Sequence, residues 1–167
     1  LKYDLYDGVF LTGQAKNFLT NVGKMSEYDI IFFDCGGQHA EILSFSPTVI
    51  TQNLQNFVAG GGSVYASDWA FVYVEWPWPG AIDFYGGNMN DGAPKVGNKG
   101  TLTGTVVDAG LAGFVGKTKV QINYNLSAWV VATGGPWSTT THITGSVSQA
   151  GGSAPLMLSH QPSGAGG

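Results

Sequence analysis

The chain has 167 residues, a net charge of −4 at pH 7, and a composition that is 43% apolar but only 11% charged. A chain of this length can bury a core without staples, and its seven Lys and Arg residues form no basic stripe for binding nucleic acid. No apolar run approaches the roughly 20 residues that span a bilayer, and Cys35, the single cysteine, excludes an intrachain disulfide.

The first half of the sequence predicts alternating strands and helices. Residues 28–34 predict a strand, because an unbroken apolar run from Ile30 to Phe33 lies between Asp29 and Asp34; such a run is typical of a parallel strand covered on both faces. A helix begins at Ser46-Pro47 and ends at Gly60-Gly61-Gly62. Residues 63–67 predict a second buried strand, and residues 68–74 a short helix. Strand, helix and strand with a crossover of this length indicate a right-handed βαβ unit.

The segments around this unit are less regular. Residues 6–11 predict a further strand and residues 16–22 a short helix. The prolines in Trp76-Pro77-Trp78-Pro79 end the helix before them, because each removes a backbone donor. Residues 83–100 are rich in Gly, Asn and Asp, which predicts a long excursion over the surface.

The last part of the sequence predicts several strands and one short helix. Asp108 caps that helix, which runs through Phe114. The strands are predicted by apolar or alternating runs between Gly-rich turns; they cover residues 101–107, 120–124, 129–132, 141–147 and 155–159.

The central segment carries a resemblance to a known family. Residues 28–33, a helix ending at Phe57-Val58, and the run from Gly60 to Trp69 together resemble class I glutamine amidotransferase-like domains, in the trehalose-utilisation-type branch. The resemblance covers residues 28–70. It implies an α/β fold, a flavodoxin-like three-layer sandwich with a mainly parallel sheet, here with a strand-rich C-terminal part. It also implies one domain over residues 1–167, which is either a fragment incomplete at both ends or a domain whose sheet is smaller than in its relatives.

The resemblance also implies where a catalytic group would lie. In catalytic members a cysteine occupies the sharp elbow after the second strand, where helix amides hold an oxyanion. This chain has Ser67-Asp68-Trp69 there, and Cys35 follows the earlier strand. Neither His142 nor His160 has a carboxylate two residues on. Amidotransferase chemistry is therefore not expected.

Three candidate catalytic residues remain, each with a plainer alternative. Ser67 becomes a nucleophile if His39, His142 or His160 folds against it; otherwise Ser67 or Asp68 caps the next helix. Cys35, beside Gly36-Gly37, is either a reactive thiol or a small buried filler. His39 either serves as a catalytic base or lies with Glu41 in a solvated loop. These two residues lack the further ligands that a metal needs, so we predict no metal and no cofactor.

Aromatic residues are unusually dense after the elbow. They are Trp69, Phe71, Tyr73, Trp76, Trp78 and Phe84. Aromatic side chains at this density form a core, a subunit contact or a stacking surface for sugars. We expect core or partner contact rather than carbohydrate, with Asp68, Trp69, Trp76 and Trp78 as the contact residues.

Composition and motifs together predict a binding or structural role. Charged residues make up 11% of the chain, against roughly 25% in an average soluble protein, which favours an exported, extracellular or periplasmic bacterial protein. We expect a non-catalytic interaction or structural domain whose partner is a protein, including further copies of itself. The alternatives are a hydrolase that uses Ser67 or Cys35 with a histidine, and a carbohydrate-binding domain that uses exposed tryptophans.

Overall fold

The chain divides into two compact units. Unit 1 comprises Leu1–Trp78 with Ser163–Gly167, and unit 2 comprises Pro79–Pro162. The computed structural model describes residues 3–7, 13–34, 47–87, 95–136 and 138–163.

In its described part, unit 1 combines short helices with a parallel pair of strands. The elements are α1 (Gln14–Leu19), α2 (Val22–Met25), β1 (Ile30–Phe33), α3 (Pro47–Ala59), β2 (Ser63–Ala66), a 3₁₀ turn (Asp68–Phe71) and α4 (Val72–Glu75). The predicted helix over residues 16–22 is two helices, because the Asn21 side chain accepts a hydrogen bond from the Lys24 amide and starts α2 there.

The strand–helix–strand arrangement predicted from the sequence is present in unit 1. Strands β1 and β2 are parallel, in a register that runs from Ile30 opposite Ser63 to Phe33 opposite Ala66. Between them, α3 buries an apolar side that includes Ile50, Leu54 and Phe57. The ring of Phe57 occupies the space in which a Cβ of residue 62 would lie, so only glycine fits at this return into β2.

Unit 2 is built from antiparallel strands in its described part. They are β3 (Asp83–Phe84), β4 (Lys95–Gly97), β5 (Gly100–Val106), β6 (Lys119–Tyr124), β7 (Trp129–Val130), β8 (Ala132–Gly134), β9 (Thr139–Val147) and β10 (Gly152–His160). The largest sheet has the order β10-β9-β5-β6, and β3 pairs with β8 and β4 with β7. Helix α5 (Ala109–Val115) follows β5, and Asp108 caps it as predicted.

A single indole organises the core of unit 2. Trp129 is buried with Val131, Val147 and Ala154, and its ring stacks on Tyr124 with 3.9 Å between centroids. Its Nε1 donates to the Asn98 carbonyl oxygen at 2.9 Å. Trp129 lies so close to Gly97 that a side chain there would collide with the indole. The packing of unit 2 therefore depends on one large residue placed over one glycine.

The predicted flavodoxin-like three-layer sandwich with a mainly parallel sheet is wrong. The fold is mixed α/β, with several small sheets, many strands and few helices, and in the described residues only β1 and β2 are parallel. Parallel pairing needs a crossover of a dozen or more residues, whereas short turns join antiparallel strands. Residues 148–151 make such a turn between β9 and β10, with Gly151 at φ 79°. The strand-rich part therefore folds on itself.

Two further predictions from the sequence concern residues 6–11 and residues 83–100. Tyr6 and Asp7 lie in no strand, and the remainder of that predicted strand falls outside the described residues. The predicted surface excursion over residues 83–100 contains β3 and β4. In the part of the chain that the structure describes, no helix combines the length and apolarity required to cross a bilayer.

Candidate functional site

The carboxyl ends of the parallel strands bring three polar residues together in unit 1. Asp34 directly follows β1, and Ser67 and Asp68 follow β2. Ser67 Oγ donates to Asp34 Oδ1 at 3.3 Å, and the Ser67 amide donates to the Phe33 carbonyl at 3.1 Å. Parallel strands end at the same sheet edge, which is why residues far apart in sequence meet there.

The turn at this edge is sharp. Asp68 has φ +48°, a left-handed conformation that is uncommon for a residue other than glycine. Ser67 occupies the position before the 3₁₀ turn, yet its side chain makes no capping hydrogen bond and instead contacts Asp34. The helix-cap alternative is therefore not what the Ser67 side chain does. The contact orients the hydroxyl toward a carboxylate, whereas serine nucleophiles are usually activated by an imidazole.

The predicted partner histidines make other contacts. His142 contacts Asp108 and Ser159. His160 Nδ1 lies 3.3 Å from both Ser138 Oγ and Thr139 Oγ1, and burial lowers the pKa of His160, so its imidazole is neutral at pH 7. Cys35 and His39 lie outside the described residues.

The aromatic segment after the elbow contributes to the core of unit 1. Phe71 and Tyr73 are buried, and Tyr73 stacks on Phe33 with 4.0 Å between ring centroids. Burial raises the pKa of Tyr73 to about 12. The three tryptophans predicted to contact a partner are each half-buried; they are Trp69, Trp76 and Trp78.

One face of the parallel pair exposes large apolar side chains. Ile30 is 43% exposed, Phe32 65% and Tyr65 46%. They share a face because side chains alternate along a strand and Phe32 lies opposite Tyr65; the two rings are 5.3 Å apart between centroids. The neighbouring Ile31, on the other face, is buried. We call Ile30, Phe32 and Tyr65 the apolar face.

A second constellation lies in unit 2 and was not predicted as a site. Asp108 Oδ2 is 2.6 Å from His142 Nδ1, and His142 Nε2 is 2.7 Å from Ser159 Oγ. We call these three residues the unit 2 triad. From the sequence, Asp108 is predicted as a helix cap and His142 as a partner for Ser67. The triad depends on which residues of β9 and β10 lie opposite each other, which no local motif specifies.

Two further findings bear on function. Among residues 3–7, 13–34, 47–87, 95–136 and 138–163, no group of three or more His, Cys, Asp or Glu side chains is placed to hold a metal ion. Comparison of the chain with protein-family models, with curated proteins and with solved structures gave no match.

Proposed function

We propose that unit 1 is a non-catalytic protein-interaction module and that a partner protein binds its apolar face. The observation that carries the proposal is the exposure of Phe32 and Tyr65 on one side of a parallel strand pair. Parallel sheets are normally covered on both faces. Contiguous apolar surface on a folded protein commonly marks a binding site.

The energetics favour coverage of this face. Fully burying one large apolar side chain is worth about 1.5–3 kcal/mol relative to leaving it in water. Phe32 and Tyr65 are adjacent and rigid, and aromatic residues dominate the energy of many protein interfaces. A partner that covers both rings gains from each of them.

Charge around the face indicates the chemistry of the partner. Asp29 and Asp34 lie at the two ends of β1 and are exposed, and the net charge is −4 at pH 7. Two copies placed face to face would bring these acids together, and like charges across an interface oppose binding. We therefore infer an apolar segment flanked by Lys or Arg. An amphipathic helix is the element that usually covers such a strand pair.

We also propose a family kinship and a location for the protein. The parallel β1–β2 pair and the sharp turn at Asp68 support kinship with class I glutamine amidotransferase-like domains over residues 28–70. The charged fraction of 11% supports an exported protein.

A peptide titration tests the binding proposal. The probe is an amphipathic helix of about five turns with a leucine stripe flanked by lysines, and the matched control peptide has glutamates in place of the lysines. We expect the lysine peptide to bind at least about 10-fold more tightly, because complementary charge adds to the same apolar contact. Affinity is measured by isothermal titration calorimetry on the full chain.

Three single substitutions locate the binding surface. Phe32→Ser and Tyr65→Ser should each weaken binding by at least about 10-fold. Phe114→Ser should leave the affinity unchanged, because Phe114 is 90% exposed but is not part of the apolar face. Equal binding by all three variants contradicts the proposal. Self-association that disappears in Phe32→Ser, seen by sedimentation velocity without peptide binding, would replace the basic helix with a second copy.

A further inference from the structure

The unit 2 triad connects a carboxylate, an imidazole and a hydroxyl in sequence. The two hydrogen bonds are short, at 2.6 Å from Asp108 Oδ2 to His142 Nδ1 and 2.7 Å from His142 Nε2 to Ser159 Oγ. The side chains of His142 and Asp108 are 19% and 26% exposed, and Ser159 is exposed. Ser159, at one end of these hydrogen bonds, therefore faces solvent, whereas His142 and Asp108 are partly covered.

The order of the three groups fixes where the protons lie. An ionised carboxylate only accepts hydrogen bonds, and hydrogen bonds from the Leu111 amide and from His142 lower the pKa of Asp108. His142 Nδ1 must therefore carry a proton that it donates to Asp108. In the neutral ring Nε2 is then an acceptor, so Ser159 donates its hydroxyl proton to Nε2. This is the arrangement that activates serine nucleophiles.

The backbone holds the triad in place. Leu158 lies opposite Thr141 and Met157 opposite Ile143, so His142 is the extra residue of a β-bulge. Bulges redirect a side chain and recur beside active sites. The His142 carbonyl also accepts hydrogen bonds from the Val107 and Asp108 amides, at 2.9 and 3.3 Å.

Asp108 is fixed by a further contact. Its Oδ1 accepts from the Leu111 amide at 2.8 Å as the cap of α5, which leaves Oδ2 for His142. One carboxylate thus joins the helix start to the bulged strand, and the imidazole is oriented toward Ser159.

We propose that Ser159 is a nucleophile, with His142 as its general base and Asp108 as the positioning residue, and that it accepts acyl groups from small carboxylic esters. Ser159 lies exposed on β10, so an ester can approach its Oγ directly. Esters whose leaving group departs as a stabilised anion, such as aryl esters, depend least on oxyanion donors. They are therefore the substrate class that suits this open surface.

The reaction balances without a cofactor. Ser159 Oγ forms a bond to the ester carbonyl carbon while His142 Nε2 takes the hydroxyl proton. The bond from that carbon to the leaving oxygen then breaks, the aryl oxide departs as an anion, and His142 gives its proton to solvent water and becomes neutral again. Water attacks the acyl-serine, giving its proton to His142, and the carboxylic acid leaves as the proton returns to Ser159 Oγ.

Acylation by p-nitrophenyl acetate tests this assignment on the full chain. We expect one acetyl group, which peptide mapping by mass spectrometry assigns to Ser159 and separates from Cys35 and the lysines. Ser159→Ala should abolish this adduct, and Ser153→Ala, which removes another exposed serine of β10, should leave it unchanged. His142→Ala should slow acylation by at least about 100-fold, the usual range for losing a general base.

Asp108→Asn separates positioning from folding. Asparagine is as good a helix cap as aspartate, so the thermal midpoint should stay close to that of the parent. Acylation should nevertheless fall by at least about 100-fold, because the amide no longer holds the required tautomer. The downfield NMR signal of the His142 Nδ1 proton should disappear as well. Adducts spread over several residues, or acylation within about threefold of the parent in His142→Ala, would overturn the assignment.

Discussion

The two units expose different kinds of surface, and the difference follows from how their strands pair. In unit 1 a long crossover joins the parallel strands β1 and β2. Both faces of β1 carry apolar side chains, and Phe32, on one of these faces, is 65% exposed. In unit 2 the strands are antiparallel, and polar groups from β9 and β10 meet across the ladder at His142 and Ser159. Continuous apolarity thus leaves an exposed apolar face in unit 1, whereas strand register brings polar side chains together in unit 2.

The largest effect on stability is expected from a substitution in the core of unit 2. Trp129→Ala removes a buried, stacked indole, and we expect the free energy of unfolding of unit 2 to fall by about 3–5 kcal/mol. Phe114→Ala, at a residue that is 90% exposed, should change the free energy of unfolding by less than about 0.5 kcal/mol. Urea unfolding followed by near-ultraviolet circular dichroism measures both. Similar losses for the two variants would show that Trp129 does not organise this core.

Alkaline pH should destabilise unit 1 through the buried Tyr73 side chain. The pKa of Tyr73 is raised from 10.0 to about 12 by burial, so the unfolded chain loses this proton first as the pH rises. The contribution of protonated Tyr73 to the free energy of unfolding is complete below pH 10 and is lost between pH 10 and about 12. The loss is about 2–3 kcal/mol at 1.4 kcal/mol per pH unit. Tyr73→Phe should remove this part of the pH dependence in urea unfolding, and an unchanged slope in that variant would contradict the burial argument.

The helix caps give the smallest difference between the units. Asp108 caps the seven-residue α5 and also holds His142, whereas Asn21 caps the four-residue α2. We expect Asp108→Ala to lower the free energy of unfolding by about 1–2 kcal/mol and Asn21→Ala by about 0.5–1 kcal/mol. Thermal unfolding by calorimetry tests the order. A larger loss for Asn21→Ala would show that the contact from Asp108 to His142 adds no stability.

Local patterns predicted individual elements well. The run at residues 28–34, the glycines at 60–62 and the cap at Asp108 each depend on neighbouring residues alone, and β1, α3, β2 and α5 are confirmed as elements. The prediction that β1 and β2 are buried is wrong for one face, where Ile30, Phe32 and Tyr65 are exposed. The sheet was predicted wrongly because the parallel character of one pair was extended to the strand-rich part, where a short turn joins β9 to β10. The antiparallel pairing of β5 with β6 and with β9 depends on contacts between residues far apart in sequence, which local patterns do not specify.

The candidate sites show the same division. The elbow at Ser67 and Asp68 was placed correctly at the end of β2, since it follows from the strand that precedes it. The Ser67 contact with Asp34 and the exposure of Phe32 were not predicted, because both depend on which elements pack together. The unit 2 triad also depends on a bulge at His142, which shifts the register by one residue.

Hydroxyl-radical footprinting tests the central claim, that one face of β1 and β2 is open for a partner, most directly. In the free protein we predict that Phe32 and Tyr65, at 65% and 46% exposure, are oxidised much faster than Tyr73, at 4%. Adding the lysine-flanked peptide should slow the oxidation of Phe32 and Tyr65 and leave the oxidation rate of Phe114 unchanged. Protection of Phe32 and Tyr65 in the free monomer, equal to that of Tyr73, would contradict the claim.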